Sequence, residues 1–211
     1  MVEKRDVSEI DSFKYLRSQL NIGGKALSNY INMLPIESGK VFSFVPKGTS
    51  EKSLYEFEKG GLYFFDKELL KQVPPLVPIQ NEARPLLIST VYNYLNSGME
   101  NCCIFEEPIA LPSDPWVKNS MIKYVHINNE MFYFFDNKNK DIKEIDRAFK
   151  ASEAHYFLCA LSSFNTFEHD KFISFKEITI ELIKEVVDNL NSFFVRAYDG
   201  EGYLMWTKQL E

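Results

Sequence analysis

The sequence predicts an α+β fold: an antiparallel sheet with helices packed on one side, ending in a C-terminal helix followed by a β-hairpin. Three observations predict it. Helical and alternating apolar patterns are interleaved without a regular strand–helix–strand repeat. Several alternating segments lie only a few turn-forming residues apart, as hairpins require. The 211 residues include 18 Phe and 11 Tyr, enough large side chains to build a stacked core without metal or disulfide.

The elements follow in order. Residues 8–20 read as a helix, with Ser8 as its cap and Ile10, Phe13, Leu16 and Leu20 near one face. The "NIGG" stretch stops it. A second helix is predicted over 25–33, closed by Pro35. "KVFSFVP" (40–46) alternates as a strand. "GGLYFFD" (60–66) reads as another, leading into a short helix at 67–72. "QVPPLVP" (72–78) is an extended, proline-rich connector. The chain is therefore read as a single domain over 1–211, with any division into two lobes falling near 74–78. A helix is expected over 83–96, with Pro85 in its first turn and Leu87, Val91, Tyr94 and Leu95 as its stripe.

"NCCIFEE" (101–107) reads as a strand and the proline-rich 108–116 as a loop. Residues 121–136 form a hairpin turning at Asn128–Asn129–Glu130. A long helix is expected from 143 to 162. A further helix begins at the capping box Ser174–Glu177 and carries Phe175, Ile178, Leu182, Ile183, Val186 and Leu190. "LYFFDKELLKQV" (62–73) and "FYFFDNKNKDIKEI" (132–145) share an aromatic strand, an Asp and a polar turn, a weak sign of internal duplication.

The closing hairpin contains "AYDGEGYLMW" (197–206). With Asp199–Gly200 as a type I′ turn, Phe193, Val195 and Ala197 share a wall with Leu204 and Trp206, and a four-residue loop over 199–202 would shift the register by two and keep the same walls. That wall faces the core, against the preceding helix. The other wall presents Arg196, Tyr198, Glu201 and Tyr203 outward.

Charge excludes more function classes than it selects. There are 24 basic and 30 acidic residues, a net charge of −6, which argues against nucleic-acid binding through phosphates. Nothing approaches a membrane span, and the N-terminus lacks the apolar run of a signal peptide. Three cysteines, two of them adjacent, do not make a disulfide framework and place the chain in the cytoplasm.

Catalytic patterns are weak. His155 and Cys159, four apart on the expected helix, could seat a metal with His169 and Asp170, or make a hydrolase or transferase site. Their setting, "AHYFLCALSSF", is otherwise apolar, and cysteine often packs as a small hydrophobe. No cofactor is implied. The adjacent Glu106 and Glu107 point to opposite faces of a strand and do not converge.

The charge map is more informative. Between Pro85 and Val117 there is no Lys or Arg, while Glu100, Glu106, Glu107, Asp114 and Trp116 lie within that window. Acidic charge steers and selects a basic partner, and aromatic groups anchor it. The expectation is a non-enzymatic protein-binding chain, in concrete form a bacterial immunity protein covering a basic toxin domain. Its contact residues would be Glu100, Glu106, Glu107, Asp114, Trp116, Tyr198, Glu201 and Tyr203. The alternatives are the hydrolase or transferase above and a subunit of a larger complex. Oligomeric state is not set by the sequence.

Overall fold

The computed structural model describes residues 2–8, 10–23, 26–46, 77–107, 123–127, 130–138, 140–152, 158–163, 180–196 and 203–209. Their strands are β1 (Val2–Asp6), β2 (Lys40–Pro46), β3 (Asn101–Glu107), β4 (Lys123–Ile127), β5 (Glu130–Asp136), β6 (Leu158–Ser163), β7 (Leu190–Arg196) and β8 (Tyr203–Thr207). Their helices are α1 (Ile10–Gly23), α2 (Ala26–Asn32), α3 (Val77–Ser97), α4 (Ile142–Ser152) and α5 (Ile180–Asp188). All eight strands form one sheet in the order β1-β2-β8-β7-β6-β3-β5-β4, and every neighbouring pair is antiparallel. The α+β class, the antiparallel sheet and the final helix-then-hairpin are as the sequence predicts.

The helices, however, cover both faces. Successive residues of a strand point to opposite sides, and here both sides are apolar. Cys102, Ile104, Phe193, Val195, Leu204 and Trp206 join a core with α1, α2 and α5. Cys103, Phe105, Phe194, Tyr203 and Met205 join a second core with α3 and α4. The expectation of helices on one side fails because the outer wall of the closing hairpin, Tyr203 included, lies under a second layer of helices.

The same fact explains the largest error of assignment. The helix expected over 143–162 ends at Ser152, and Leu158–Ser163 is a strand at the middle of the sheet. A strand buried on both faces reads as a continuous apolar run, which has no period of two to reveal it. Leu158 and Ala160 face one core, Cys159 and Leu161 the other.

α3 also starts earlier than the sequence suggests. It begins at Val77, so Pro78 occupies its first turn and Pro85 lies in its interior. Pro85 is exposed, while Ala83, Leu87, Ile88, Val91 and Leu95 are buried on the sheet. Burial of that stripe outweighs the backbone hydrogen bond that Pro85 cannot donate. β2 before the proline-rich segment and β3 after it belong to the same sheet. The strand and helix expected over 60–72, the first of the two similar segments, the loop 108–116 and the capping box at Ser174 lie outside the described residues. Leu190, expected on the last helix, instead opens β7.

α1 buries Phe13, Leu16 and Leu20. Ser8 does not act simply as its cap: the Ser8 hydroxyl accepts the Val41 backbone N–H at 2.9 Å, and its own N–H donates to Asp6 Oδ1 at 3.0 Å. Arg17 ties α1 to the turn after α2. Its Nε and Nη2 fork onto the Glu37 carboxylate at 2.7 Å each. Nη1 reaches the Asn32 carbonyl at 2.5 Å and Nη2 the Leu34 carbonyl at 3.1 Å. Only a planar guanidinium satisfies this arrangement.

Arg17→Lys should therefore cost about 1–2 kcal/mol, read from urea denaturation near neutral pH. The hydrogen bond from Arg17 holds the Glu37 carboxyl below the usual carboxylate range, and the Ser8 hydroxyl does the same for Asp6. A carboxylate with a depressed pKa in the folded state stabilises it above the unfolded value and loses that contribution as pH falls. Stability should thus decline on acidification from about pH 5 downward, and Arg17→Lys should make that decline shallower.

Candidate functional site

The register brings four strand ends into a row. Glu106 of β3 pairs with Leu158 of β6, Leu158 with Val195 of β7, and Arg196 of β7 with Tyr203 of β8. The segments 108–122, 153–157 and 197–202 leave or enter the sheet at these ends. Strands lie about 4.8 Å apart, so the row of β8, β7, β6 and β3 is about 15 Å wide. Asp114 and Trp116 belong to the first segment, His155 to the second, Tyr198 and Glu201 to the third. These five residues lie outside the described ones, but the sheet fixes where their segments attach. The observed pairing of Arg196 with Tyr203 and Phe193 with Trp206 is the register that an Asp199–Gly200 turn requires.

The opposite end of the sheet holds Asn101, Ser163 and Leu190. Glu100 is exposed there, just before β3. Six residues of β3 separate it from Glu107, a span of about 23 Å. The base-free window is therefore split between two ends. The segment with His169 and Asp170 leaves β6 at the end opposite to that of His155. These three residues also lie outside the described set.

Several expected site residues are placed by their burial. Glu106 is fully buried and accepts the Leu27 backbone N–H at 3.3 Å on Oε1. Leu27 is the second residue of α2, whose first N–H groups lack helical acceptors, so Glu106 supplies one from across the core. Glu106 is thus a structural carboxylate and not a contact residue. Tyr203 is equally buried, its ring edge-on to Phe149 at 6.3 Å between centroids. It faces inward because α4 covers the wall expected to be outer. Glu107 closes β3 beside Met131 of β5.

Cys159 is not on a helix with His155. It sits on central β6, fully buried in the second core. Burial pushes its thiol well above the ordinary range, with Cys103 and Cys102 adding to the effect, and Cys102 is raised in the same way by burial first. A nucleophilic or metal-binding thiol needs the opposite shift. Among the described residues no group of three or more His, Cys, Asp and Glu is placed to hold a metal ion.

In the folded protein the three cysteines should react with a disulfide reagent at least about a hundredfold more slowly than in denaturant. Because the raised thiols favour the neutral form, the stability they contribute should be present at neutral pH. It should fade as pH rises past the ordinary thiol value of about 8.5.

A polar cluster that sequence patterns did not reveal lies at the Asn101 end. Asn191 Nδ2 donates to the Tyr94 hydroxyl at 2.7 Å and to Ser163 Oγ at 2.6 Å. Ser163 Oγ reaches Asn101 Oδ1 at 3.5 Å, and Asn101 Nδ2 donates to the Tyr94 carbonyl at 2.6 Å. Burial raises the Tyr94 hydroxyl pKa, so it stays protonated. The four side chains satisfy one another and pin the end of α3 to β3, β6 and β7. The only sequence signal was a polar residue at each of three strand termini, spread over ninety positions.

Comparison with protein-family models, curated proteins and solved structures found no match. Among the described residues no helix is long and apolar enough to cross a membrane.

Proposed function

We propose that this chain is a non-enzymatic protein-binding protein whose contact surface is the sheet end at β8, β7, β6 and β3. The observation that supports the reading is the register: β3 ends at Glu107 at the same end of the sheet where β7 ends and β8 begins, with β6 between them, so the segments that contain Asp114 and Trp116 and that contain Tyr198 and Glu201 leave the sheet at one end. Three acidic side chains with a Trp and a Tyr suit a basic partner, with charge steering the encounter and the aromatic groups anchoring it. In concrete form the chain acts as an immunity protein in the cytoplasm, occluding a basic toxin domain. Three free, buried thiols are consistent with a reducing compartment. Glu106 and Tyr203 support the surface from within, and Glu100 lies outside it.

The test is calorimetric titration of the chain with basic proteins encoded beside its gene. A complex should form and weaken with salt. Glu107→Lys with Glu201→Lys should weaken it at least about tenfold, and Glu100→Lys by less than about twofold. No complex with any such protein, or one indifferent to the paired reversal, would overturn the reading.

A further inference from the structure

β1 differs from the strands beside it in what holds it. Its sequence is "VEKRD", four charges in five residues. Glu3 and Arg5 are half-buried, and Lys4 and Asp6 are exposed. By contrast β2, β3, β5, β6, β7 and β8 each bury at least three side chains. β1 is attached by its backbone ladder to β2 and by surface contacts. Lys40 reaches Asp6 at 3.4 Å, and the Lys4 ammonium lies 3.9 Å from the Phe42 ring centroid. Arg5 pairs with Glu3 within β1 itself. Exposed contacts of this kind contribute little. A latch closes the strand at its Asp6 end. Asp6 Oδ1 accepts the Ser8 N–H at 3.0 Å and also the Ser8 hydroxyl. The same hydroxyl accepts the Val41 N–H at 2.9 Å, and the Val7 N–H donates to the Val41 carbonyl at 2.8 Å.

We infer that β1 is a detachable cover strand: it opens from β2 on its own while the rest of the sheet stays folded, and the latch of Asp6, Ser8 and Val41 sets how often. Local opening follows the regions that bury least, because parting them from the protein returns little apolar surface to water. β2 stays in place when β1 leaves. Its Val41 and Phe44 are buried in the two cores, and its other edge pairs with β8. Closed, β1 covers the β2 edge with a charged strand, which discourages pairing with others. Open, it bares the N–H and C=O groups of β2 on that side. The register assigns the reporters. With Val7 donating to Val41, the Glu3, Arg5 and Val7 amides point to β2, and the Ser43 amide points back to β1. The Lys4 and Asp6 amides point away. This inference does not depend on the function proposed above.

The test is amide exchange of the full chain, followed residue by residue by NMR at urea concentrations below the unfolding transition. The Arg5, Val7 and Ser43 amides should exchange at least about tenfold faster than those of β6 and β7. Their rates should be nearly indifferent to urea, because a small opening exposes little surface, while the β6 and β7 rates rise steeply. Ser8→Ala removes the latch and should speed Arg5 and Ser43 exchange at least about threefold, leaving β6 and β7 unchanged. Rates in β1 that rise with urea in parallel with those of β7 overturn the inference, since β1 then opens only with the whole protein. So does protection of the Lys4 and Asp6 amides, which requires a further segment gripping the outer edge of β1. So does an Arg5 rate that Ser8→Ala leaves unmoved. If Ser8→Ala does not fold, the urea series in the unaltered chain decides.

Discussion

Trp206→Ala should destabilise the protein by about 4 kcal/mol, measured by urea denaturation. Trp206 lies on β8 with its indole stacked on Phe193, ring centroids 5.4 Å apart. Its Nε1–H donates to the buried Ile36 carbonyl at 2.7 Å. The Ala variant loses the buried ring and the indole donor, leaving the Ile36 carbonyl with only the Gly39 N–H at 3.1 Å. Trp206→Phe keeps much of the ring area and isolates the loss of that one hydrogen bond, about 1 kcal/mol. The seat for the indole is made by Gly39. A Cβ there would fall 2.4 Å from Nε1, 2.5 Å from Cε2 and 2.7 Å from the Thr207 carbonyl oxygen. Gly39→Ala should therefore cost about 2–3 kcal/mol by overpacking. In a Trp206→Ala background it should cost less, because two of its three close contacts are gone. The coupling between the two sites should be at least about 1 kcal/mol.

Glu106→Lys should be as damaging, about 4 kcal/mol, although Glu106 lies in what reads as an acidic surface window. It is fully buried and serves the first turn of α2. A lysine there replaces an acceptor with a donor beside the N–H groups of a helix start. Glu106→Gln keeps an acceptor and should cost about 1–2 kcal/mol. Glu100→Lys, at the exposed far end of β3, should stay within about 0.5 kcal/mol of the parent. If Glu106→Lys were instead neutral to stability, Glu106 would belong to the surface after all.

What the sequence made legible, and what it did not, follows from these cases. α1, α2, β2, β3 and both hairpins were readable because each carries its own local signal: a helical stripe, an alternation or a turn. The final hairpin was readable in its two walls, which either loop length preserves, while the pairing of Arg196 with Tyr203 selects the register that an Asp199–Gly200 turn requires. β6 was not, because "LCALSS" has no period once both faces are covered, and its burial depends on helices distant in sequence. Pro78 and Pro85 misplaced the start of α3, as proline marks an interruption only where packing does not compensate. The same second layer of helices explains the site. Alternation correctly put Tyr203 and Leu204 on different walls, but no local pattern could say that α4 covers the Tyr203 wall. Nor could adjacency decide that Glu106 turns inward to α2. The convergence of β3, β6, β7 and β8 ends is a property of strand order, which single segments do not carry.

The central claim is that one end of the sheet, and not the acidic window as a whole, meets a partner. Backbone amide exchange of the chain, free and saturated with its basic partner, tests it most directly. The account predicts slowed exchange in peptides covering 107–116 and 196–203. It predicts no change in those covering 98–101 and 189–192. Protection confined to the Glu100, Ser163 and Leu190 end would contradict it.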